Sequence, residues 1–407
     1  MSATQPHSAR DHFNDFDLDS PELNDDFVEV MDDLVRRCPV AKSNVGHGYY
    51  VVNRQEDVRT VGQNWETFSS AEGFQPNRPE GMPFMYPEES DPPYHNRWRS
   101  ALNGYFSPRA VRSYESSVRE HANHLIDAFI ERGECDFVAD FAATLPGRVF
   151  FSSYMGVPIE DLPPLIKAID EALFGPIEGR AQGWGTALGY INAYLERRLK
   201  EEPRGDFVDA VLKGVELDSG APCPWEHKVS VVTDLLAGGL GTTTYLLAGL
   251  TYHLATHPQD RARLAANPAL HDKAIEEFVR VYAPVVALAR TVRQDVEVAG
   301  HTFKKGDWVM LNYAAACRDP RLYDNPKDVD IDRDLPVNAA FGFGPHRCIG
   351  SHLARLEGKV VMRELLRRLP DFALKPGAEI TYTTGLTRSM NTLPLVFAPG
   401  RPESAVR

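Results

Sequence analysis

Cysteine is scarce in these 407 residues: Cys38, Cys135, Cys223, Cys317 and Cys348 lie far apart, with no C-x-x-C pair. An odd, scattered set forms neither a disulfide framework nor a four-ligand zinc site. It suits a reducing compartment, so the chain is expected in the cytoplasm. Positive charge is also short, with 44 Lys and Arg against 57 Asp and Glu and a formal net charge of −13. Nucleic-acid binding needs a basic face for phosphate, and that class is excluded. The first twenty residues lack an apolar run and a basic stretch before one, which excludes a signal peptide or N-terminal anchor. Internal repeats, low-complexity linkers and clear domain boundaries are missing too. The remaining balance, 43% apolar and 25% charged residues, is that of a globular protein.

Long apolar runs are scarce, with one exception. Residues 235–255 carry no Lys, Arg, Asp or Glu, a length sufficient to cross a bilayer. The run holds four glycines, four threonines and His253, and it follows Asp234 directly. It reads as a buried helix of a large soluble protein, with a membrane span as the weaker alternative.

The charge is uneven. Residues 1–33 hold ten acids and one Arg, and read as a solvated acidic lead-in rather than a core element. Ser107-Pro108 marks a helix boundary, and an apolar stripe of Val111, Val118, Leu125, Ile126 and Phe129 predicts helix over residues 111–132. Helical texture recurs at 160–173, 184–200, 226–256, 272–282 and 350–369. Strand-like alternation is confined to 48–52, 296–303 and 307–311. Residues 74–93 contain six prolines and predict an irregular loop. The fold class expected is one large domain over 19–407, mainly α with a small β portion.

Chemistry concentrates in Phe341-Gly342-Phe343-Gly344-Pro345-His346-Arg347-Cys348-Ile349-Gly350. Two glycines alternating with aromatics allow close backbone approach to something flat. The lone Cys precedes an amphipathic helix with apolar Leu353, Leu356, Val360, Val361 and Leu365. A helix N-terminus stabilises a thiolate. Without a second ligand at metal spacing, such a thiolate suits the axial ligand of a haem rather than zinc. The segment resembles the haem-ligand loop of the cytochrome P450 superfamily, F-G-x-G-x-H-x-C-x-G, with all six fixed positions present. The resemblance implies a haem b cofactor, with Cys348 on the iron, Phe341 near the sulfur, His346 toward a propionate, and Gly342, Gly344 and Gly350 shaping the loop.

Other positions agree with that resemblance, which runs from about Asp19 to Pro399. Glu277-Phe278-Val279-Arg280 matches the family's E-x-x-R, which is expected to be buried and joined by Arg333 in a structural role. Asp91-Pro92-Pro93-Tyr94-His95-Asn96-Arg97-Trp98-Arg99 is similar to D-P-P-x-H-x-x-x-R. This makes His95, Arg99 and Arg290 propionate partners. Ala237-Gly238-Gly239-Leu240-Gly241-Thr242-Thr243 resembles the locally opened oxygen-side helix, with Thr242 as the hydrogen-bonding alcohol. The family's acid is Gly241 here. Either Gly241 admits water and the relay runs through Thr242, Thr243 and solvent, or proton delivery is slow and peroxide serves as oxidant. Asp234 occupies a position that is usually apolar. It either binds a substrate hydroxyl or amine, replaces the missing acid through waters, or turns aside toward a backbone N–H.

Carried over by position, the substrate pocket comprises Phe84, Met85, Tyr86, Asp234, Ala237, Gly238, Val285, Val286 and Met390, a mostly apolar lining suited to a compact hydrophobic ligand. Leu393 to Phe397 and Gly238-Gly239-Leu240 look most like the bacterial terpene-hydroxylating branch, so a monoterpenoid or small aromatic is expected ahead of a polyketide or steroid. The resemblance implies a monooxygenase using O2, fed from NAD(P)H through ferredoxin reductase and ferredoxin. The alternatives are a peroxide-driven haem enzyme and a non-enzymatic haem sensor. Residues 95–119 carry five Arg against one Glu, and residues 341–368 six Lys/Arg against two Glu. In the resembled fold both face an acidic ferredoxin, with Arg112 and Arg355 as contacts.

Overall fold

The computed structural model describes residues 10–78, 82–174 and 177–403. Helices dominate. In chain order, those that frame the site and the core are α1 (Phe27–Arg37), α2 (Tyr94–Leu102), α3 (Glu115–Asp127), α4 (Leu162–Phe174), α5 (Ile177–Arg198), α6 (Trp225–Gly239), α7 (Gly241–Thr256), α8 (His271–Val281) and α9 (Ser351–Arg368). The main sheet has five strands, β1 (Val40–Ser43), β2 (Tyr49–Val52), β3 (Phe68–Ser69), β4 (Ala287–Val292) and β5 (Trp308–Asn312), in spatial order β1-β2-β5-β4-β3. Only the β2–β5 pair is parallel, with Tyr50 opposite Val309; the other pairs are antiparallel. The stretch expected at 296–303 is a hairpin, Val296–Val298 against His301–Phe303.

Ser107 caps the helix that begins at Pro108, its Oγ accepting the Ala110 N–H, as the Ser-Pro boundary predicts. The helix expected over 111–132 is three pieces: Pro108–Arg112, α3 and a 3₁₀ turn at Ile130–Arg132. The long apolar run becomes the last third of α6 and all but the final residue of α7. It is long and apolar enough to cross a membrane. However, Tyr245 through Thr251 and His253 through Ala255 are buried within the protein, so its apolar surface is already covered.

The lead-in departs from expectation. Phe16, Leu18, Leu23, Phe27, Met31 and Leu34 are buried, forming a second core with Val51, Ala287 and Met310 of the sheet. Phe16 N–H donates to the Lys42 carbonyl at 2.8 Å, fastening the segment to β1. Acids alternate with these apolar residues. They turn outward or pair locally, as Asp32 does with Arg36 at 2.9 Å. Burying each large apolar side chain contributes about 1.5–3 kcal/mol, so the described part of this segment belongs to the domain. Charge density hid an apolar period that was present in the sequence.

Candidate active site

The cysteine loop lies just before α9. Cys348 N–H donates to the Phe341 carbonyl at 2.9 Å, which closes the loop. Gly342 and Gly344 take left-handed φ values of +67° and +72°. At Gly344 a Cβ would stand 2.1 Å from the Gly62 carbonyl oxygen, so a side chain there would push the loop off its support. The Gly350 N–H donates to Cys348. Burial raises the thiol above its usual pKa, and the Gly350 N–H and Arg99 guanidinium only partly offset it. A metal cation facing the sulfur would supply the missing stabilisation.

Cys348 borders an interior cavity of about 590 Å³. The cysteine loop and α9 furnish one wall with Phe341, Gly342, Ile349, Gly350 and Leu353. The α6–α7 junction furnishes another with Asp234, Ala237, Gly238, Gly239, Thr242 and Thr243. The helix breaks where the sequence reading expects it: α6 ends at Gly239, Leu240 has φ −83° and ψ −75°, and α7 begins at Gly241. Thr242 Oγ1 donates to the Gly238 carbonyl at 2.7 Å. A Cβ on Gly238 or Gly239 would meet nothing within 4 Å, so these glycines leave space. Gly241 does not border the cavity.

One rim is cationic. His95, Arg99 and His346 border the cavity, and the His95 and His346 rings lie 4.2 Å apart. Asp91 accepts the Ser70 N–H at 2.9 Å, and Ser70 Oγ hydrogen-bonds His346 Nε2 at 3.1 Å, so the D-P-P segment orients the loop histidine. Burial pushes His95 down to about 4 and His346 well below its usual range, with Arg290 and Arg99 adding to both shifts. Arg290 is buried behind this rim on β4, with Nη1 donating to the Ala289 carbonyl at 2.6 Å. Arg99 Nε donates to Asn103 Oδ1 at 3.2 Å. Among the described residues, neither Arg99 nor Arg290 has an ion-pair partner within 4.0 Å. A mostly apolar cavity with a thiol in its wall and unpaired cations at one rim fits haem and its two propionates.

Below the loop, Glu277 and Arg280 of α8 are fully buried and paired at 2.6 Å, and Arg333 Nε joins Glu277 at 3.0 Å. This is the triad expected from the sequence.

Five of the nine pocket candidates border the cavity: Met85, Asp234, Ala237, Gly238 and Val285. Phe84, Tyr86, Val286 and Met390 do not. Phe84 is 42% exposed beneath the Arg78 guanidinium, and Tyr86 turns onto His227, ring centroids 4.2 Å apart. From Phe84 to Pro87 the loop alternates, with Met85 and Pro87 on the cavity and Phe84 and Tyr86 off it. Val286 follows Val285 onto the other face and joins the second core, and Met390 is buried in the main core. The proximal expectation also changes. Arg355 is committed to Glu276, with Nη2 at 2.9 Å, and stacks over Phe341 at 4.3 Å.

Sequence reasoning missed Glu88. It borders the cavity and shares a side-chain hydrogen bond with Asp234, and its N–H also donates to the Asp234 carboxyl. Asp234 thus takes a backbone N–H, one of the expected options, while still facing the cavity. Burial first, then the opposing Glu88 charge, raises Asp234 well above the usual carboxyl range; burial also raises Glu88. No local signal marks Glu88, because a Pro-rich loop with two adjacent glutamates reads as exposed.

Residues 22–381 match the family model for cytochrome P450. The steroid C26-monooxygenase of Mycolicibacterium smegmatis is 32% identical over 365 residues, 88% of this chain and 89% of that protein. Cytochrome P450-terp of a Pseudomonas species is 29% identical over 395 residues, covering 88% and 90%. Among solved structures, that of cytochrome P450 CYP101C1 superposes with a TM-score of 0.84 at 30% identity, covering 97% of this chain and all of that one.

Proposed function

The chain belongs to the cytochrome P450 family and is a bacterial haem monooxygenase, and on that premise we propose that Cys348 is the iron ligand and that the α6–α7 wall is the oxygen side. The observation that carries this reading is the Cys348 thiol in the wall of the cavity that Gly238 and Thr242 also border. Bound haem supplies the activation of O2 and the transfer of one oxygen atom to a C–H bond. The chain's own residues do the rest. Arg99, Arg290, His95 and His346 hold the two propionates through charge and hydrogen bonds. Gly238 and Gly239 keep the oxygen side free of side chains. Thr242 Oγ1, parked on the Gly238 carbonyl, has its proton engaged and a lone pair left to accept one from water. Thr243 stands beside it, so proton delivery runs through these hydroxyls and solvent. Because Gly241 supplies no acid, peroxide as oxidant is the second reading. The absorption spectrum of the reduced carbon monoxide complex tests the ligand: a thiolate-type Soret band is expected, and a histidine-type band from intact protein would overturn it.

The apolar wall and a volume shared between cofactor and substrate support a compact terpenoid or small aromatic substrate. Electrons would come from NAD(P)H through ferredoxin reductase and ferredoxin, in the cytoplasm. Arg109, Arg112 and Arg347 are exposed, and among the described residues they have no ion-pair partner within 4.0 Å. Arg112 edges a groove with His352, Leu356 and Lys359 beneath the cysteine loop. Arg112→Glu is expected to raise the half-saturating ferredoxin concentration about tenfold at low salt, with the difference shrinking as salt rises. Substrate affinity should not change. Equal ferredoxin kinetics in the two proteins would remove this docking face.

A further inference from the structure

Glu88 and Asp234 form a carboxyl pair that the family reading does not use. They come from separate elements, the Pro-rich loop and α6; both border the cavity, and a side-chain hydrogen bond joins them. Among the described residues neither has a cation within 4.0 Å. The nearest charges are already engaged or set back. Glu89 is buried and paired with Arg78, and its carboxylate accepts the Met85 N–H at 2.6 Å. Arg290 acts on Glu88 only from a distance, and Arg99 likewise on Asp234. Two carboxyls facing each other in an apolar cavity resist ionisation, and a cation placed between them relieves that resistance. Asp234 lies four residues before Gly238 and eight before Thr242, on the helical stripe that faces the cavity. A polar group held there would sit about 12 Å along the helix from the oxygen-side threonine, at 1.5 Å per residue.

We propose that the Glu88–Asp234 pair is a substrate anchor that recognises a cationic amine on an otherwise apolar molecule. This inference rests on the cavity being the substrate pocket of a haem monooxygenase. An ammonium group both hydrogen-bonds the two carboxyls and compensates the charge they develop on ionising, whereas an alcohol supplies hydrogen bonds alone. The anchor would fix one end of the substrate and present a C–H bond several ångströms away, which selects the position oxidised.

The test uses the holoenzyme and a matched pair of probes, benzyltrimethylammonium and its neutral carbon isostere neopentylbenzene. The quaternary nitrogen cannot ligate iron, so binding reports the pocket alone. Affinities are read by calorimetry for the wild type, Asp234→Asn, Glu88→Gln and the double variant. The double variant is expected to lose the cation at least about tenfold while the isostere changes less than about twofold. Equal losses for both probes would mean a structural role and overturn the proposal. So would unchanged affinities accompanied by altered peroxide release per electron, which would make the pair a proton relay. If the variants do not fold, the wild type still decides: binding the isostere but not the cation defeats the anchor. A thiolate-type carbon monoxide band alongside that result would leave the haem assignment standing.

Discussion

Glu277→Ala is expected to remove about 3–5 kcal/mol of stability, the usual loss when one partner of a buried ion pair is deleted. The carboxylate accepts four hydrogen bonds: Arg280 Nε at 2.8 Å, Arg280 Nη2 at 2.6 Å, Arg333 Nε at 3.0 Å and the Asp330 N–H at 3.0 Å. Burial opposes its ionisation, but the two arginines outweigh burial and hold it below the ordinary carboxylate range. Arg280 has all five N–H donors in use, the other three reaching the carbonyls of Cys317, Pro326 and Asp328 at 2.9, 2.7 and 3.0 Å. Removing the acid leaves a fully buried guanidinium without its counter-charge. Because those carbonyls belong to the chain leading into the cysteine loop, the loss reaches the haem cradle. With native stabilities of roughly 5–15 kcal/mol, the variant should retain little haem and unfold at much lower denaturant. Glu277→Gln, which keeps two acceptor lone pairs, should fall between. A denaturation midpoint for Glu277→Ala within about 1 kcal/mol of wild type would show that the triad is dispensable.

Most of this proximal machinery was legible in the sequence because it is local. Six fixed positions within ten residues, and a Glu and Arg three apart on one helix, each force their own geometry. The helix break at Leu240 was legible for the same reason, a run of glycines ahead of threonines. The pocket wall was not. Whether Val285 or Val286, Met85 or Tyr86, meets the cavity depends on which way an alternating backbone is turned by distant packing. Glu88 was invisible because its burial comes from α6, contributed nearly 150 residues later. The lead-in failed in the opposite sense. Ten acids masked the few apolar positions that seat it on the sheet. Arg355 counted as a docking charge until Glu276, on another helix, was found to hold it. Charges summed along a chain do not reveal their partners.

Glu357→Gln is expected to stabilise the protein, and to do so more as pH rises. Glu357 sits on α9 four residues after Leu353, is 2% exposed, and borders the cavity beneath the cysteine loop. Its Oε2 has no hydrogen-bond partner, and neither does the nearby Tyr154 hydroxyl. Burial alone pushes the carboxyl up to about 8. The sign follows from proton uptake. Below about pH 4.5 the group is protonated in both states and contributes no pH dependence. Between there and pH 8 the unfolded chain sheds the proton while the folded one keeps it, so stability falls as pH rises. At pH 7 the penalty is about 3 kcal/mol, from 1.36 kcal/mol per pH unit. Glutamine keeps the shape and removes the titration, and its amide gains a possible acceptor in the Tyr154 hydroxyl. Leaving an amide donor unpaired would return about 1 kcal/mol, so the net gain at pH 7 is about 2 kcal/mol. Denaturant midpoints of wild type and variant should converge near pH 5 and diverge by pH 8. A gain that is constant across that range would mean the side chain acts through packing alone. A variant that is less stable throughout would mean the carboxyl has a partner that offsets its burial.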